Sequence, residues 1–137
     1  GLDKIGTEYI FVKGDGENGW ENVLIVAHED DTEIRVNGNS NFFAKIPAGG
    51  YALIEGNQFN NGNLFVQTTK PVFAYQGVGA SNSEANQGMF FVPPLSCENR
   101  KAVINIPFIN KIGGLFFSGS ITIVTNKTAE IKVNSTI

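Results

Sequence analysis

The stretch VLIVAHEDDTEIRVNGN, residues 23–39, decides how the chain is read, because a second stretch, ITIVTNKTAEIKVNST at residues 121–136, repeats it. With one residue deleted in the second turn the two align throughout. Ile25-Val26 matches Ile123-Val124, and Glu33-Ile34-Arg35-Val36-Asn37 matches Glu130-Ile131-Lys132-Val133-Asn134. Each copy reads as an apolar strand, a polar turn and an alternating strand. In the first, Ile34 and Val36 point one way while Glu33, Arg35 and Asn37 point the other, the period-2 pattern of a half-buried strand. Val23–Ala27 is apolar at every position, so both of its faces are expected to be covered. Asn37-Gly38 is a strong turn signal, since both residues tolerate positive φ. Each copy is therefore expected to form a β-hairpin. Two readings of the repeat stay open: convergence of two similar hairpins, or two related β units.

The rest of the chain continues in this style. Short apolar or alternating runs return about every ten residues, separated by Gly, Asn and Asp, as in antiparallel sandwiches and barrels. Strands are expected at Glu8–Lys13, Phe42–Ile46, Gly50–Glu55, Asn63–Thr69, Val72–Val78, Met89–Val92, Ala102–Ile106, Leu115–Thr125 and Glu130–Val133. Lys70-Pro71 is placed between two of them, where the missing proline N–H costs little. Nothing shows a capped 3.6-residue period. The expected fold is an all-β, antiparallel β-sandwich-like domain built from two related meander or hairpin units, with a β-barrel as the alternative. Residues 1–137 are read as one module of a larger multi-domain protein.

The totals narrow the function. The chain has 137 residues, a net charge of −3 and no basic cluster, which argues against nucleic acid as a partner. No apolar run is long enough to insert in a membrane as a helix. Cys97 is the only cysteine, so it can form neither an internal disulfide nor a cysteine metal cluster, and it is expected to be buried. His28 is the only histidine and is read as a solvated turn residue, leaving no base for a Ser-His-Asp triad.

Calcium is the one cofactor that the residues raise. Glu29-Asp30-Asp31-Thr32-Glu33 could supply two or three oxygen ligands, but it also suits a hairpin turn whose Asp side chains bond nearby N–H groups. The related turn at Asn126-Lys127-Thr128 has no acid, which favours the turn. Asp15-Gly16-Glu17-Asn18-Gly19 fails the EF-hand pattern at Trp20 and Val26 and is likewise read as a turn. No cofactor is expected.

Aromatic and amide side chains supply the candidate binding residues. Phe42-Phe43, Phe90-Phe91 and Phe116-Phe117 are adjacent pairs, so one member of each is expected in a Phe-rich core and the other on an outer face. Trp20, beside a Gly-rich turn, and Phe59, in the loop GNQFNNG (56–62), are expected to be exposed. With Asn57 and Asn60 of that loop, and Asn82 and Asn86 of the loop GASNSEANQG (79–88), they make up the candidate ligand-binding set.

ENVLIVAHEDDTEIRVNG at 21–38, AGGYALIEG at 48–56 and TTKPVFAYQGVG at 68–79, with the renewed hairpin at Ser120–Ser135, resemble the IgGFc-binding protein N-terminal-like domain. In bacteria such domains occur in large secreted proteins, notably of Bacteroidetes, among them adhesin-like surface proteins. The resemblance implies a secreted or cell-surface, non-catalytic module. Its partner would be a glycan, a cell-surface protein or a neighbouring domain of the same chain. The matching motifs are turns and strands, so the resemblance transfers no functional residue, and immunoglobulin binding does not follow from it. The alternative is a structural spacer with no ligand of its own.

Overall fold

The computed structural model describes residues 4–79, 88–95, 110–116, 121–125 and 127–133. The chain divides into two compact units, Gly1–Asn99 and Arg100–Ile137.

The first unit is a single seven-stranded antiparallel sheet. Its strands are β1 (Gly6–Val12), β2 (Asn22–Ala27), β3 (Thr32–Val36), β4 (Ala44–Ile46), β5 (Tyr51–Glu55), β6 (Asn63–Gly77) and β7 (Phe90–Phe91). The described residues contain no α-helix; one turn of 3₁₀-helix, Gly56–Gln58, follows β5.

β6 is the spine, and the expected break at Lys70-Pro71 is absent: one 15-residue strand runs through the proline. The registers give the reason. On one edge β3 stops pairing at Thr68 and β2 starts at Val72. On the other edge β1 jumps from Gln67 to Val72. Residues 69–71 therefore owe no N–H to a ladder, and proline costs nothing there.

The same irregularity folds the sheet on itself. Val12 is paired with Asn63, yet Gln76 Nε2 donates to the Val12 carbonyl at 2.6 Å. Thirteen residues of straight strand at about 3.3 Å each would keep Asn63 and Gln76 about 43 Å apart. β6 must double back at 68–71. One layer then holds β1, residues 63–68 of β6, β3 and β4. The facing layer holds β7, residues 72–77 of β6, β2 and β5. The result is a folded sheet close to a closed barrel, as the all-β expectation required.

The first copy of the repeat is not a hairpin. β2 and β3 each pair with β6, β2 also with β5 and β3 also with β4, but not with one another. The link 28–31 crosses from layer to layer beside the corner in β6. Asp31 takes φ 56° there, and Lys70 Nζ donates to the Asp30 carbonyl. The hairpin is instead β3–β4, closed at Asn37-Gly38 with φ of 52° and 72° and a bond from Asn39 N–H to the Val36 carbonyl.

The core lies between the layers. Val23, Ile25 and Ala27 of β2, Ile34 and Val36 of β3, Ala52 and Ile54 of β5, and Leu64, Val66, Val72 and Ala74 of β6 are buried. Leu24 and Val26 are half-buried, so β2 is not fully covered on both faces. Each fully buried Val, Ile or Leu contributes about 1.5–3 kcal/mol. Tyr9 and Phe11 of β1 stack at 6.1 Å between ring centroids. Tyr9 Oη donates to the Val72 carbonyl at 2.6 Å and accepts from Gly6 N–H at 2.9 Å, and burial raises its phenol above the ordinary value.

Among the described residues the core is mainly aliphatic, with Tyr9 and Phe11 as its buried aromatics, and is not Phe-rich. Both members of Phe42-Phe43 and of Phe90-Phe91 are exposed. The first pair lies in the approach to β4, and the second forms a two-residue edge strand.

In the second unit Lys111–Ile112 (β8) pairs with Leu115–Phe116 (β9) through a turn with Gly113 at φ 60°. Lys111 Nζ sits 5.3 Å from the centre of the Phe116 ring. Residues 121–125 and 130–133, expected as strands, carry no strand pairing, and Ile121, Ile123, Val124, Ile131 and Val133 are exposed. Ala102–Ile106 and Cys97 lie outside the described residues.

Candidate functional site

Strand directions bring several connections to one end of the first unit. There the β1–β2 loop (13–21), the β3–β4 turn, the β5–β6 loop (56–62) and the exit of β6 at 78–79 meet. The β1–β2 loop is the hub. Lys13 N–H donates to the Gly62 carbonyl at 2.8 Å, and the Asn18 carbonyl accepts from Gly56 N–H at 3.0 Å. Asn37 Nδ2 reaches the Gln58 carbonyl at 2.7 Å.

Glu21 locks this hub. Its residue exposure is 0%, and its carboxylate accepts N–H groups from Gly14 (3.0 Å), Gly16 (2.9 Å) and Gly79 (3.1 Å). A buried carboxylate is tolerated only when its oxygens are satisfied, and here backbone dipoles from two separate loops converge on it. The approach is so close that a β-carbon on Gly79 would lie 2.6 Å from Trp20 Cβ. Sequence reasoning missed Glu21. It follows a run of polar turn residues and reads as solvated, and the only available signal was a lone acid set between Trp20 and an apolar strand.

The expected binding residues fall into three groups. Trp20 is 43% exposed, and Asn57 and Asn60 are exposed at the same end. Asn60 also exchanges backbone bonds with Asn63, closing the turn at 61–62. Phe59 is not an exposed aromatic: it is half-buried and packs against the core, where a ring gains more than in water. Asn82 and Asn86 lie outside the described residues.

The opposite end carries the acidic turn, and its side chains are engaged in the fold. Asp30 Oδ1 accepts from Ala48 N–H at 2.9 Å, Thr32 Oγ1 donates to the Glu29 carbonyl at 2.7 Å, and Asp31 pairs with Lys45 Nζ at 3.0 Å. Hydrogen bonding and charge from Lys45 hold the Asp31 carboxyl below its ordinary value. Asp30, Asp31, Lys45, Ile46 and Pro47 line an open cleft of about 450 Å³. His28 is exposed beside it. Among the described residues no group of three or more His, Cys, Asp and Glu is placed to hold a metal ion.

A second surface is the outer face of the layer holding β2. Register places Tyr51, Val26 and Phe73 in one row and Leu53, Leu24, Tyr75 and Phe91 in the next. Tyr51 is 68% and Leu53 48% exposed, and Tyr75 meets Phe91 edge-on at 5.8 Å. These side chains form one apolar outer face, in which Leu24, Val26, Phe73 and Tyr75 are half-buried.

Among the described residues no helix is long and apolar enough to cross a membrane. Comparison with the curated proteins and with the solved structures returns no match. The family model described as "IgGFc binding protein" matches residues 2–136, almost the whole chain, and the chain belongs to that family, a family of binding modules.

Proposed function

We propose that the chain is a non-catalytic, extracellular adhesion or recognition module that takes a protein partner at the loop end. One observation carries the reading: several loops converge on a buried Glu21 that fixes their backbones, and they present an exposed Trp20 beside exposed Asn57 and Asn60. A rigid indole flanked by amides offers apolar contact and hydrogen bonding at low entropic cost. Family membership supports a protein as the ligand. A glycan would meet the same chemistry by stacking on the indole.

The test is direct binding of the purified chain to immobilised immunoglobulin G Fc, and in parallel to a glycan array, with calcium or with chelator. The expected result is saturable binding to one probe, weakened at least tenfold by Trp20→Ala and unchanged by an exposed substitution at the far end such as His28→Ala. Binding that Trp20→Ala leaves intact moves the site away from the loop end. No binding to either probe favours the spacer, which positions other domains and takes no ligand.

A further inference from the structure

The sequence holds three Asn-Gly pairs, Asn18-Gly19, Asn37-Gly38 and Asn61-Gly62, and each lies in a turn. Glycine has no β-carbon, so its backbone nitrogen is the least hindered nucleophile that can follow an asparagine. When that nitrogen attacks the side-chain amide, ammonia leaves and a five-membered imide forms. Attack requires the chain to leave its turn briefly. The rate is therefore set by what holds each asparagine side chain and by what polarises its amide.

Asn37 is clamped. Its Nδ2 donates to the Gln58 carbonyl at 2.7 Å and its Oδ1 accepts from Phe65 N–H at 3.1 Å, so neither end of the amide is free to swing toward Gly38. Asn61 sits at φ 50° in a turn closed by the reciprocal Asn60–Asn63 bonds of 2.7 and 3.0 Å, and among the described residues no side-chain donor reaches its amide. Asn18 differs from both. It is exposed, in the turn where Trp20 N–H donates to the Glu17 carbonyl at 2.9 Å, and Lys13 Nζ donates to its Oδ1 at 2.8 Å. Among the described residues the N–H of Gly19 donates to no acceptor. An ammonium on the amide oxygen draws electron density from Cγ and stabilises the charge that builds on Oδ1 during attack.

We propose that Asn18 is a site of spontaneous modification, converted to aspartate and isoaspartate with Lys13 as its activator. Gly19 N, after losing its proton to hydroxide, bonds to Asn18 Cγ, and the carbonyl electron pair moves onto Oδ1 against the Lys13 ammonium. The Cγ–Nδ2 bond then breaks, and Nδ2 takes a proton from water and leaves as ammonia. Water opens the imide at either carbonyl. One opening keeps the ordinary backbone and leaves a carboxylate beside Lys13. The other routes the backbone through the side chain and lengthens it by one carbon. There is no room for that carbon: the Asn18 carbonyl accepts from Gly56 N–H at 3.0 Å, and a β-carbon on Gly56 would lie 2.8 Å from Asn18 Cα. Isoaspartate therefore loosens the β1–β2 loop from the β5–β6 loop. The chemistry needs no ligand; only its effect on binding rests on the loop-end site proposed above.

Ageing the whole chain at mildly alkaline pH and body temperature, followed by peptide mass mapping, tests it. Asn18 should convert first, Asn61 more slowly and Asn37 last. Lys13→Met should slow conversion at Asn18 about threefold and leave Asn61 unchanged, and Lys13→Arg should restore it. Gly19→Ala places a β-carbon where no heavy atom lies within 4 Å, so the fold tolerates it, and should slow conversion at least tenfold. In the aged chain amide exchange should speed up at Gly56. Conversion at Asn37 as fast as at Asn18, or a Lys13→Met chain that ages like the unsubstituted one, overturns the proposal. Unchanged exchange at Gly56 in the aged chain overturns the loosening.

Discussion

The two layers of the first unit share one kind of inner face and have opposite outer faces. Inside, both alternate mostly Val, Ile, Leu and Ala, joined by Tyr9, Phe11 and Thr32 in one layer and Gln76 in the other. Outside, the layer of β1 and β3 carries the charged or polar Glu8, Gln67, Arg35, Glu33 and Lys45 beside the half-buried Ile10, Val12 and Phe65, with Gln67 bonded to Glu8 at 3.0 Å. The layer of β2 and β5 carries Leu24, Val26, Tyr51, Leu53, Phe73 and Tyr75. Folding demands only the inner pattern. The outer face is free to vary, and it carries more charge on the layer of β1 and β3 than on the layer of β2 and β5.

The largest effect tests whether the inner faces are equivalent. Ile25→Ala in one layer and Ile34→Ala in the other should each cost about 2–5 kcal/mol in urea unfolding, because both residues are fully buried. A cost confined to one layer would show that the second is dispensable to the core.

The next effect tests the joint between the layers. Glu21→Ala removes the acceptor that ties Gly79, at the exit of β6, to the loop leaving β1, and should cost about 2–4 kcal/mol. Glu21→Gln keeps one oxygen and should cost less. Amide hydrogen exchange should speed up at Gly14, Gly16 and Gly79 before the rest of the sheet; unchanged exchange there would mean that the loops hold themselves.

The smallest effect lies at the far end, where exposed charges hold the link between β2 and β3. Asp31 has a folded value depressed by Lys45. Its contribution is present above the ordinary carboxylate value and is lost as pH falls through the depressed one. Asp31→Asn should therefore lower the thermal midpoint slightly near neutrality and flatten its fall in acid, and salt should erase the difference. An acid limb identical to that of the unsubstituted chain would show that the pair is idle.

Much of this was legible in the residues. Apolar or alternating runs located β1, β2, β3, β5 and both parts of β6 to within a residue or two, and Asn37-Gly38 located its turn, because these signals are local. The pairing of β2 and β3 with β6 was not legible. A polar four-residue link reads the same whether it closes a hairpin or crosses between layers. Pro71 misled for a related reason: it looks like a break unless the neighbouring strands are known to skip 69–71. Phe59, expected exposed, and the pairs Phe42-Phe43 and Phe90-Phe91, each expected to bury one ring, were misplaced, because connectivity decides whether a ring can reach the core. Of the candidate site, Trp20, Asn57 and Asn60 were legible as loop residues. Glu21 was not, since its partners are N–H groups, which every residue carries.

The central place of β6 also governs the order in which the structure can be assembled. β1 pairs with no other strand, and the pairs β2–β5 and β3–β4 are joined only through it. As the chain is synthesised from its amino end, those two pairs can form early as separate small ribbons, while β1 stays unpaired. The layers become one body only when the chain has been made as far as Gly77. Loops must close over tens of residues at that moment, which makes folding late and cooperative, and ties it to the length of chain released.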